Sequence, residues 1–186
     1  MTLPDFEVVP RVGLILSGAA LVLLVAGVVS GTYWSLVLLH VAFGAGWTIV
    51  DLFMGLIIGP ILGSLSIPAR AELSRRLMPK MVVIMPTLVT ATLVAGWQLG
   101  LKMGTVNSGH PMHGWVVASY IVVGVMALLA LGLLEPANIA VLIEMKKPQP
   151  DPMVIDRLMK RFVYSAGVIG IMQVAILVIM TKIRVG

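Results

Sequence analysis

Five runs of mostly apolar residues, separated by short polar breaks, constrain this chain more than any other feature. A membrane-spanning helix needs about 20 such residues. The runs cover about residues 12–30, 33–62, 81–103, 113–145 and 162–181. They predict an all-α polytopic membrane protein with five transmembrane helices, in a single membrane domain spanning 1–186. Composition agrees, with 59% hydrophobic and 11% charged residues, against about 45–50% and about 25% in soluble domains. The second and fourth runs exceed the hydrocarbon thickness, so they should tilt or project into water. Glycines recur within the spans, with Gly55 and Gly59 on the second and Gly167 and Gly170 on the fifth. Small residues let helix backbones approach where lipid supplies little drive for association.

The breaks set an orientation. Gly63–Lys80 is a basic loop with Pro68 and Pro79, and Lys146–Pro152 is a tight connector with three prolines. Most of the 13 basic residues flank these two breaks, the distribution of a cytoplasmic face. Clustering of that kind excludes nucleic acid as the partner. Ser30-Gly31-Thr32 and the uncharged 104–112 segment then lie outside, which places the N-terminus in the cytoplasm of a multi-pass plasma-membrane protein. Lys182 and Arg184 at the outer end run against that bias. Asp5 and Glu7 precede the first run, which is long and lacks a small-residue cleavage site, so it reads as a retained helix and not a signal peptide.

The chain has no cysteine, which excludes disulfides, thiolate nucleophiles and cysteine-ligated metals. A metal would need His, Met, Asp or Glu. His40 sits inside the second apolar run, and ionisable groups there usually face the bundle interior. His40, Gly44, Trp47 and Asp51 share one helical face. Gly44 and Gly46 are expected to clear room beside the imidazole for a flat macrocycle, and a neutral imidazole is a natural axial haem ligand. The alternative is a histidine hydrogen-bonded to a neighbouring helix.

A second group is His110, Met112 and His113, before Gly114-Trp115. Imidazole with thioether suits copper(I). The alternative is solvated loop histidines, or His113 capping the fourth helix. His40 lies seven residues in from Tyr33, ~10 Å deep at 1.5 Å per residue. Gln98, Ser119 and Tyr120 fall at similar depth, forming a polar layer beneath Lys102, His110 and His113. Lys102 is placed either to pair with a haem propionate or to snorkel to the headgroups. Asp51 and Glu135 form a third, acidic set in the inner half, for proton relay or cation binding if facing helices bring them together. The competing expectation pairs each with Arg161, Lys80 or Arg76. No phosphate-binding glycine loop, GxSxG or HExxH motif occurs, and soluble-type hydrolase or nucleotide chemistry is unsupported.

Three pieces carry a family resemblance. They are Trp34…Leu39-His40-Val41…Gly44…Trp47 leading to Gly59-Pro60; Arg75-Arg76-Leu77-Met78…Ile84-Met85-Pro86…Gly96-Trp97; and Gly114-Trp115. Over about residues 33–131 the chain resembles the superfamily of HemJ-type protoporphyrinogen oxidases and CopD-like copper-resistance membrane domains. The resemblance implies a four-helix core, with haem b near the histidine matching His40 and one N-terminal helix outside. Val116, Val117, Ala118, Ser119 and Tyr120 stand where the HemJ pattern carries a lysine.

The resulting expectation is a haem b-binding, cytochrome-like membrane protein or subunit, an oxidoreductase component if it is an enzyme. It would transfer electrons near the outer face, between quinone and a partner complex. His40, Gly44, Trp47, Gln98, Lys102 and Tyr120 would surround the cofactor, with His113 or His110 as second ligand. The alternatives are copper handling through His110, Met112 and His113, and a cofactor-free accessory subunit in a larger membrane complex or homo-oligomer.

Overall fold

The computed structural model describes residues 9–185, so Asp5 and Glu7 lie outside the described part. Among the described residues helix is the only regular secondary structure, with five helices long and apolar enough to cross a membrane. They are α1 (Arg11–Ser30), α2 (Tyr33–Ser64), α3 (Ile67–Met103), α4 (His113–Met145) and α5 (Pro152–Val185). α2, α3, α4 and α5 form a ring in which α2 packs on α3 and α5, and α4 packs on α5 and α3. α1 leans on the outside of this ring, against α3 and α2, where Leu24 meets Ala91 and Ala95. The expected four-helix core with an added N-terminal helix is the observed architecture.

The helix junctions follow from local chemistry. α1 ends at Gly31, which adopts a left-handed conformation (φ 57°) open to glycine without strain. Thr32 then caps α2 by accepting a hydrogen bond from Ser35 N at 3.2 Å. α3 ends in the same way at Gly104 (φ 71°).

Two expectations about the polar segments are corrected. The segment read as a loop from Gly63 to Lys80 is helical from Ile67 onward, so α3 starts well before residue 81. Pro68 in the first turn is preorganised for a helix start, and Glu72 pairs with Arg75 (2.8 Å) and Arg76 (2.7 Å) along the new turns. α5 likewise begins at Pro152 and not near residue 162. Its first turn is held by Asp151, whose Oδ1 accepts from Met153 N at 2.8 Å. In both helices a polar first stretch continues the apolar rod, and hydropathy reports the rod alone.

Prolines shape the interior. α2 carries a π-helical turn, Met54–Ile58, before Gly59-Pro60, and α4 carries one, Ala130–Leu134, before Glu135-Pro136. Proline supplies no N–H, and its ring collides with the carbonyl four residues back. The wider turn relieves this, with Gly59 N bonding Met54 O and Glu135 N bonding Ala130 O. In α3, Pro79 opens the ladder and the fully buried Asn138 of α4 enters it. Its amide accepts from Val82 N (2.9 Å) and donates to Met78 O (3.2 Å), so neither backbone group is left bare.

At the end of the bundle that carries most of the basic residues, Arg70 ties three elements together. It bonds Asp156 of α5 at 2.5 Å and reaches Leu65 O (2.9 Å) and Gly63 O (3.1 Å) at the end of α2. Lys160 holds the other Asp156 oxygen at 2.9 Å. The core between the helices is rich in methionine, including Met54, Met78, Met81, Met85, Met126 and Met159 around Trp47 and Phe162. Flexible thioethers fill the irregular spaces that the π turns create.

α2 and α5 meet most closely at glycine. A Cβ on Gly55 would overlap the Gly167 backbone, and one on Gly170 would lie 3.0 Å from Leu52 Cδ2. Replacing Gly55 with Ala is expected to push the two helices apart and lower stability by about 1–3 kcal/mol. The same change at Gly18, where a Cβ meets nothing within 4 Å, should be neutral or slightly stabilising. Thermal unfolding of both variants in detergent, followed by size-exclusion chromatography, checks the contrast; equal behaviour would refute it.

Candidate functional site

The polar residues inside the spans fall into two groups at different levels of α2. The first is at the end away from the basic cluster. His40 points from α2 onto α3, and its Nδ1 lies 3.0 Å from the Thr92 carbonyl oxygen, the hydrogen bond to a neighbouring helix expected as the alternative to a ligand. A carbonyl only accepts, so Nδ1 carries the proton. Nε2 is then left with its lone pair. A carbonyl oxygen has two lone pairs, so Thr92 O can accept from His40 as well as from its own helix; the Thr92 hydroxyl donates to Leu88 O at 2.7 Å.

The imidazole rests on Gly96. A Cβ there would sit 2.6 Å from His40 Cε1 and 2.7 Å from Nδ1, so only glycine admits the ring. The clearance expected at Gly44 and Gly46 is taken by other groups. Thr92 Cγ2 lies 3.4 Å from a Cβ on Gly44, and Leu88 Cδ2 lies 3.2 Å from one on Gly46. The room for the histidine is therefore on α3 and not on its own helix. One turn further along α3, Gly100 seats the Tyr120 hydroxyl, 2.8 Å from where its Cβ would be. Tyr120 also stacks on Trp97, with ring centroids 5.4 Å apart and planes tilted by 39°. Gly96, Trp97 and Gly100 thus form a platform that receives His40 from α2 and Tyr120 from α4.

Other members of this level are less engaged. Gln98 is partly buried and Lys102 is exposed. Ser119 is buried and bonds its own turn at Val116 O, 2.7 Å away. His110 Nδ1 accepts from Met112 N at 3.1 Å, which fixes its proton on Nε2 and closes the turn. His113 Nδ1 and the Tyr120 hydroxyl are buried and have no hydrogen-bond partner. Among the described residues no three His, Asp or Glu side chains are grouped to hold a metal ion.

The second group is in the middle of the bundle. Asp51 (1% exposed), Trp47 (3%) and Gln173 (2%) are enclosed together. Gln173 Nε2 donates to Asp51 Oδ2 at 2.9 Å across the α2–α5 contact. The Trp47 indole N–H faces the same carboxylate from one turn back, without closing a hydrogen bond of its own. The expected pairing of Asp51 with Glu135, or of either with Arg161, Lys80 or Arg76, is not what the structure has. Among the described residues neither acid is in an ion pair.

Sequence reasoning missed Gln173, Thr92, Gly96 and the Arg70–Asp156 pair. Gln173 was detectable, because it interrupts an apolar run in the way that singled out Asp51. Thr92 contributes a backbone oxygen, which no side-chain pattern reports. Compared with family models, curated proteins and solved structures, the chain finds no match.

The geometry predicts the tautomer of His40. Nitrogen-15 NMR of histidine-labelled protein at neutral pH should show one ring protonated on Nδ1. That signal should vanish in His40→Gln. If the His40 ring, identified by its loss in His40→Gln, is instead protonated on Nε2 alone, the Thr92 contact is contradicted; His110 is expected in that Nε2 form.

Proposed function

We propose that this protein is a b-type haem-binding, cytochrome-like membrane protein or subunit that transfers electrons, with His40 as an axial ligand. The observation that carries the reading is the His40 imidazole held through Nδ1–H on the Thr92 carbonyl, which makes Nε2 the nitrogen that would bind a metal. Metal-bound histidines are oriented in this way, because the second-shell carbonyl fixes the ring and raises the basicity of the other nitrogen. The resemblance of residues 33–131 to HemJ-type and CopD-like proteins points to the same histidine.

His40 would hold the haem iron, and one of the two loop histidines would join it. His113 has an unpartnered Nδ1, whereas the Nδ1 lone pair of His110 is engaged by Met112 N–H. His113 is therefore the better second ligand. Trp97 and Tyr120 supply an aromatic wall, and Lys102 at the surface suits a propionate. When bound, haem supplies a one-electron couple, and the protein's part is orientation and a low dielectric. The Gly96 seat prevents the imidazole from turning, and the Thr92 bond keeps its proton away from Nε2. In this reading the basic end lies in the cytoplasm of a plasma-membrane protein, the His40 level lies near the outer face, and quinone or a redox subunit is the electron partner.

After haem-replete expression the purified protein should show a Soret band that shifts on reduction. His40→Ala should lose most of it while keeping its elution volume. A colourless wild type would overturn the proposal. A band unchanged in His40→Ala would move the ligand elsewhere.

A further inference from the structure

The middle of the bundle holds three buried polar atoms without a partner, and they sit together. They are Asp51 Oδ1, Gln173 Oε1 and Trp47 Nε1. An orphaned polar atom is costly in a dry interior, and three in one place call for a further proton, ion or water. Gln173 already donates Nε2–H to Asp51 Oδ2 at 2.9 Å. In a cyclic acid–amide pair the N–H syn to the amide carbonyl makes one bond, and the two remaining oxygens face each other along the other edge. Two acceptors on that edge repel, unless one of them carries a hydrogen.

Among the described residues no cationic side chain is placed to answer the charge of an ionised Asp51. On α3 there is no titratable residue between Lys80 and Lys102, and on α5 none between Tyr164 and Lys182. α1 has none after Arg11. Within α4 the titratable residues before its basic-end Glu144 are His113, Tyr120 and Glu135, and α2 itself adds Tyr33 and His40. Lys182 is nine residues beyond Gln173, ~14 Å along the helix, and His40 is eleven residues from Asp51, ~16 Å. The other buried acids, Glu144 and Asp156, differ in this respect, since each holds a Lys or Arg. A metal cation fits poorly as well, because hard cations take six or more oxygens and here a tryptophan N–H faces the carboxylate.

We propose that Asp51 and Gln173 form a proton-binding site at the centre of the membrane domain. The proton resides on Asp51 Oδ1 and is donated to Gln173 Oε1, while Gln173 Nε2 donates back to Oδ2. This closed acid–amide ring satisfies both orphaned oxygens and removes the buried charge. The Trp47 N–H remains directed at the carboxyl, where it supports the anion whenever the proton leaves. The site is distinct from the His40 level and does not depend on a cofactor there.

Infrared spectroscopy of the full-length protein in lipid nanodiscs tests this. With carbon-13 aspartate labelling, wild type at neutral pH should show an isotope-sensitive carbonyl stretch of a protonated carboxylic acid. The band should shift in deuterium oxide and be absent from Asp51→Asn. An asparagine amide can reproduce the ring, so that variant should also keep the thermal stability of wild type. Gln173→Leu should retain the acid band but move it toward the free-acid position. A wild type whose aspartates are all ionised at neutral pH would overturn the proposal, and would assign the gap to a water molecule bridging Trp47, Asp51 and Gln173. The labelled wild type alone gives this answer if a variant fails to fold. Because the readout does not involve haem, its outcome is separate from that of the Soret experiment.

Discussion

The contact of α2 with α5 at Gly55 and Gly167 is the constraint on which the rest of the bundle depends. In lipid, apolar side chains gain little by leaving one apolar surface for another, so helices associate through close packing and internal polar bonds. Gly55, Gly167 and Gly170 bring the two backbones together. That approach is what lets the short side chain of Asp51 reach Gln173. A bulkier residue at the crossing would separate the helices and strand both polar groups. The glycine contact and the polar pair are therefore two parts of one arrangement, joined at the Arg70–Asp156 end by an ion pair that bridges α3 and α5.

The second constraint is the backbone itself. Prolines interrupt helices that have little water around them, and at Pro60, Pro136 and Pro79 the surrounding chain adapts in two ways. In α2 and α4 a π turn precedes the proline, and in α3 the side chain of Asn138 completes the ladder beside Pro79. Both devices change the facing of the residues beyond them. They help explain why the methionine-rich core is irregular, and why α4 meets α3 mainly through its second half.

Much of the site was legible because polar residues in apolar runs are few. His40, Asp51, Glu135 and Tyr120 stand out for that reason, and the continuous helix over Tyr33–Phe53 puts His40, Trp47 and Asp51 on one side. What that face meets was not legible. Its upper part meets Thr92 and Gly96 of α3, and its lower part meets Gln173 of α5. The room for His40 was expected at Gly44 on its own helix, yet it is provided by Gly96 across the interface. Spacing along one helix reports which residues share a face, but not which neighbour carries the complementary gap.

By itself the sequence determined the solvent, the number of spanning helices and the glycine breaks between them. These follow from the length and polarity of contiguous segments, which are local properties. Only the tertiary structure decided that Asp51 partners Gln173 and not Glu135, that the Thr92 carbonyl sets the His40 tautomer, and that Asn138 repairs α3. Each of these joins residues far apart in the chain through a single side chain or backbone oxygen. Such pairings depend on the rotation of one helix against another, and hydropathy does not record that rotation.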